Sequence, residues 1–188
     1  GEDIPFSQIS KVSLYISEIK HAYLELYRCL ERVYSVPTMI ELKGKFSELS
    51  NYNNFDVSKT IEEITGWRQS EENGLIKLIQ LLDTQEMISL FNFIAVDSLI
   101  STSDSIFFKL DDYRNTPANE KAKKDTYERE LRELIAKRVS TRIYKTRNGI
   151  VHFRPVFDSD SVTDDDMERL CLATIFLIRK VYEKISLT

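Results

Sequence analysis

"DTYERELRELIAKRVSTRIYKTR", residues 125–147, is a charge-rich stretch with a regular apolar rhythm. Tyr127, Leu131, Leu134, Ile135, Val139 and Ile143 recur three or four positions apart, which is the repeat of a helix face and not of a strand. Nothing in it alternates with period two. If the most polar part of the chain is a long amphipathic helix, the rest has to supply an apolar surface for it, and the flanks are read with that requirement in mind.

Upstream, Leu75–Leu110 is the most hydrophobic segment, apolar on more than one face, with a pause expected at "LDTQE" before "MISLFNFIAVDSLISTSDSIFFKL". Such a segment suits a central helix, or one that also meets a partner chain. From Ser7 to about Tyr34, Ile9, Val12, Ile16, Ile19, Tyr23, Leu26, Leu30 and Val33 keep helical spacing until Pro37 breaks the run. A shorter helix is expected through "TMIELKGKFSEL", a polar loop at "SNYNNFD", and another short helix over Thr60–Trp67 before "RQSEENG". Downstream of "DDYRNTPANEKAKK", read as a solvated connection, and of "FRPVFDSDS", the last helix starts at "VTDDDMERL". There Thr163 can cap, and three aspartates favour the positive end of the helix dipole. No stretch demands a strand. The expectation is an all-α bundle of four main helices with one or two short ones, a single domain over residues 1–188. A chain beginning "GEDIPF", with no methionine, further suggests a domain excised from a longer protein.

Composition narrows the chemistry. A net charge of −4 and few glycines or prolines describe an acidic protein with a real core, not a globally basic nucleic-acid binder, so any phosphate contact must use a local patch. Cys29 and Cys171 have no CxxC or histidine partner, which argues against a disulfide framework or a zinc site and for a reduced, cytoplasmic setting. No apolar run is long enough to span a bilayer. "DSDSVTDDD" lacks the glycine and closing glutamate of a calcium loop and reads as a helix start, so no metal or other cofactor is expected. Trp67, Phe91, Phe93, Phe107 and Phe108 are read as core or interface residues, and His21 as a surface or boundary residue.

One constellation stands apart. Arg138, Arg142, Lys145 and Arg147, with Arg154 just beyond, form the concentrated basic region of an acidic chain, and "RNGIVH" at 147–152 holds one of its two histidines. Asn148 and His152 are four apart, so on a helix they share a face and the Asn amide can orient the imidazole. Arg147 and His152 are five apart, about 140° around an ideal helix, so both address one ligand only at a helix end or a distortion, for which Gly149 would supply the freedom. Cationic side chains also gather at helix ends for purely structural reasons.

An arginine, a polar residue and a histidine in this spacing, late in an all-helical chain, resemble the signature of the HEPN superfamily. The resemblance implies a metal-independent endoribonuclease working in a toxin, antiviral or RNA-processing setting, with a composite cleft at a two-fold dimer interface. Arg147, Asn148 and His152 would form the catalytic group, and Arg138, Arg142, Lys145 and Arg154 would guide the RNA. An antitoxin or further domains of a longer chain would be its regulators. The alternative is a non-catalytic helical module for dimerisation, or for binding RNA or protein, with the apolar 87–110 segment as its surface.

Overall fold

A computed structural model describes residues 18–45, 70–95, 105–152 and 163–186. In those residues the chain is helical: α1 (Ile19–Glu31), α2 (Val36–Lys45), α3 (Glu71–Gln80), α4 (Thr84–Ala95), α5 (Ser105–Asn115), α6 (Lys121–His152) and α7 (Asp164–Ser186), with no strand among them. The protein is an all-α bundle, as the apolar spacing implies.

The charge-rich stretch becomes α6, a helix of 32 residues that packs along α3, α4 and α5. It buries Leu131, Ile135, Val139 and Ile143, the residues whose spacing marked it as helical, and its other faces are wet. α7 lies against α1 and α4, burying Leu170, Ala173, Leu177 and Val181. The start of α7 follows the expected chemistry, because the Asp166 N–H donates to Thr163 Oγ1 at 3.2 Å while the Thr163 N–H donates to Asp166 Oδ2 at 3.3 Å. That reciprocal pair is a capping box, and Asp83 with Glu86 makes a second one at the start of α4. Glu86 also reaches Lys180 at 3.1 Å and Lys184 at 3.2 Å, tying α4 to α7. Burial pushes its carboxyl up, but the Asp83 N–H and the two ammonium groups outweigh that and hold it below the usual range.

Several boundaries differ from the sequence reading. The first helix ends at Glu31, so Tyr34 sits in the following turn, and Pro37 lies in the first turn of α2, where its missing N–H costs nothing. The pause at "LDTQE" is real and separates α3 from α4 at residues 81–83. "DDYRN" belongs to α5, and the solvated connection shrinks to 116–120. Helix α3 begins at Glu71, so "EENG" is its first turn and not a break. The expected loop at 50–56, the short helix over Thr60–Trp67, the start of the first helix at 7–17 and Trp67 itself lie outside the described residues. Phe91 is in the core, Phe93 and Phe107 are half-buried, and Phe108 is 63% exposed. Cys29 is buried and Cys171 half-buried, both as free thiols.

Gly74 explains how α3 approaches the turn after α1. A Cβ on it would stand 2.7 Å from both Cβ and Cγ of Tyr34, atoms too near the Tyr34 backbone to swing aside. Gly74→Ala should therefore destabilise the fold by about 1–3 kcal/mol, more than the roughly 0.5–1 kcal/mol that alanine gains in helix propensity. Urea unfolding of the variant checks this, and a raised midpoint would mean the two segments are not in close contact.

Candidate functional site

The motif occupies the last turns of α6. The helix runs through Gly149 without a break as far as His152, the last described residue of this stretch, so there is no kink at the glycine. Its residues therefore take the angles of a regular helix. Asn148 and His152 lie one turn apart on one face. Arg138, Arg142, Lys145, Gly149 and His152, spaced four and three apart in turn, run as a stripe along α6, and Arg147 stands off it by more than a quarter turn.

Arg147 turns toward its own chain. Its guanidinium carbon lies 5.5 Å from the centre of the Tyr27 ring, and Nη2 is 3.6 Å from Glu31 Oε1 and 3.8 Å from Glu71 Oε1. Nη1 donates to Asn148 Oδ1 at 3.0 Å. The Tyr27 hydroxyl donates to the second oxygen of Glu71 at 2.8 Å. Three helices thus meet at this guanidinium: α1 through Tyr27 and Glu31, α3 through Glu71, α6 through Arg147 itself. The side chain keeps 22% of its exposure, so it borders solvent without standing in it.

Electrostatics at the cluster are not balanced. Two carboxylates face one guanidinium, and burial raises the Glu31 carboxyl above its usual range, with the Arg147 charge pulling it back and Glu71 pushing it up again. Burial likewise pushes the Tyr27 phenol far above its ordinary value, so this hydroxyl remains a donor. Glu71 sits in the first turn of α3, where the helix dipole favours an anion.

The other expected contacts are dispersed. His152 is exposed at the end of α6, Lys145 and Arg138 are exposed along it, and Arg142 is half-buried with its Nε and Nη2 atoms inside the protein. Arg142 therefore points inward rather than along a surface track. Arg154 lies outside the described residues. His21 is exposed on α1, 3.5 Å from Glu18. Sequence reasoning missed Tyr27, Glu31 and Glu71, which come from distant parts of the chain; the one local hint was a glutamate pair opening a helix.

Among the described residues no group of three histidine, cysteine or acidic side chains could hold a metal, and no helix is long and apolar enough to cross a membrane. Burial pushes the Cys171 thiol up to about 11 and raises that of Cys29, so both stay protonated at neutral pH.

Gly149 is exposed, and a Cβ there would meet nothing within 4 Å. A helical glycine with open surroundings costs about 0.5–1 kcal/mol relative to alanine. Gly149→Ala is therefore expected to raise the unfolding free energy by that amount, read as a higher midpoint in denaturant titrations. A loss of stability would mean that this turn leaves helical geometry in solution. No family model, curated protein or solved structure matches the chain.

Proposed function

We propose that this chain is a metal-independent endoribonuclease of HEPN type, cutting RNA at a composite site shared by two copies of the chain. The observation that supports it most is the Arg147–Asn148 hydrogen bond at the end of α6, with an exposed His152 one turn past Asn148 on the same face. Because Arg147 engages the Asn148 carbonyl oxygen, the opposite side of that amide presents its N–H donors, which can hold an imidazole in one tautomer.

In the reaction the 2′-hydroxyl loses its proton to a base, its oxygen bonds to phosphorus, the P–O5′ bond breaks, and O5′ takes a proton from an acid. The products are a 2′,3′-cyclic phosphate and a 5′-hydroxyl. His152 is the proton-transfer group, and Arg147 offers a fixed fork of donors to the phosphate as its charge rearranges. One histidine serves poorly as acid and base together, so a two-fold axis bringing two copies of His152 to one phosphate completes the set. Lys145, Arg138 and Arg154 would guide single-stranded or looped RNA, whose bases are free to enter a cleft, while Arg142, which points inward, would not. A toxin or antiviral role in the cytoplasm, restrained by an antitoxin or by further domains, fits such an activity.

A second reading has its own support. Arg147 is already paired with Glu31 and Glu71, as a structural arginine would be, and Phe108 and Leu172 are 63% and 47% exposed. On that reading the chain is a helical interaction module.

Incubation of the protein in EDTA with a mixed pool of structured RNAs, followed by mapping of fragment ends, separates the two. Cyclic-phosphate ends produced without metal are expected. Intact RNA from a folded dimer would leave the interaction module standing.

A further inference from the structure

We propose that Glu31 and Glu71 are positioning residues for Arg147, holding its guanidinium in the orientation that meets the scissile phosphate; this rests on the ribonuclease reading above. An arginine on a helix surface has many rotamers, and ordering it costs side-chain entropy each time it engages a ligand. Here that ordering precedes any ligand. The ring of Tyr27 lies against the guanidinium, Asn148 accepts from Nη1, and Glu31 and Glu71 stand on the Nη2 side at 3.6 and 3.8 Å. Glu71 is itself fixed by the Tyr27 hydroxyl and by its place in the first turn of α3.

The distances matter. Both carboxylates are beyond ordinary hydrogen-bond length from Nη2, so they act through charge and leave its N–H bonds able to turn to a closer acceptor. The same two charges repel a phosphate. Their removal therefore has two opposed effects: RNA binds more readily because a negative charge is gone, and the bound complex reacts more slowly because the guanidinium is no longer held. A residue that only supports the fold would produce neither once the folded fraction is accounted for. A residue that merely competes with phosphate would produce the first alone.

The experiment compares the parent with Glu31→Gln and Glu71→Gln, the nearest uncharged shapes, using cleavage kinetics on one mapped RNA and nitrogen-edited NMR of the Arg147 guanidinium. In the parent, restricted rotation should give resolved guanidinium hydrogens; in each variant they should average. At the same time kcat should fall at least about tenfold while KM stays level or falls. A guanidinium that loosens with kcat intact overturns the proposal, as does a lower KM with kcat unchanged. The spectrum is read without RNA. If the parent neither binds nor cuts RNA, the ribonuclease reading fails, the catalytic part of this proposal falls with it, and a restricted guanidinium then reports a structural clamp only.

Discussion

His152→Ala should lower RNA cleavage by about 10²–10⁴-fold, the range that a positioned proton-transfer group contributes, with the unfolding midpoint nearly unchanged. The separation of the two effects follows from where the residue sits. The His152 side chain is exposed on α6, and exposed substitutions usually stay within about 0.5 kcal/mol. The proposed composite site adds a sharper consequence. If acid and base are the two copies of His152, a mixed dimer of parent and variant holds only one of them and is inactive. Adding excess His152→Ala protein to a fixed amount of parent should then suppress the parent's own activity as subunits exchange. Activity that stays constant across the titration would place acid and base within one chain and remove the need for the two-fold axis.

Much of this architecture is legible in the residues. The α6 stripe of Leu131, Ile135, Val139 and Ile143 states both the helix and its buried face, and Thr163 with Asp166 states where α7 begins. Both signals are local, and a local signal survives tertiary packing. Boundaries such as Glu31 and Asn115 were harder, because "VYSV" and "DDYRN" are compatible with helix or turn until the neighbours decide. Gly74 reads as a breaker in sequence, and only the ring of Tyr34 shows that its missing Cβ serves a close contact inside a helix. The motif behaved in a similar way. "RNGIVH" singles out a candidate site in the sequence, but the spacing says nothing of which way Arg147 faces. Its partners come from α1 and α3, and no residue near Arg147 in sequence points to them.

That hidden environment makes Arg147→Ala the variant with the widest consequences. Loss of the guanidinium leaves Glu31 and Glu71 facing one another, with Tyr27 still donating to Glu71. Breaking a fully buried pair costs about 3–5 kcal/mol; these carboxylates keep 33% and 36% exposure, so about 1–2 kcal/mol is expected. The penalty should depend on pH, and its sign is fixed. Burial already raises the Glu31 carboxyl, and Arg147 has the larger effect of the two cations, with Arg28, that pull it back, so in the variant it rises further. A carboxyl raised in the folded state favours folding in its protonated form. The difference in stability between parent and variant should therefore be largest at neutral pH and shrink as pH falls through the raised Glu31 value. Urea midpoints at a series of pH values measure this, and a pH-independent difference would mean that Arg147 is not paired with Glu31 in solution. Cleavage by Arg147→Ala should also be lost, yet that loss alone cannot separate a phosphate-binding arginine from a structural one. The double variant Glu31→Gln with Arg147→Ala removes one of the two carboxylates left without the Arg147 cation and relieves their mutual repulsion, so it should recover much of the stability. If it regains the fold and still fails to cut RNA, Arg147 acts on the phosphate; if cleavage returns with stability, its place in "RNGIVH" is structural.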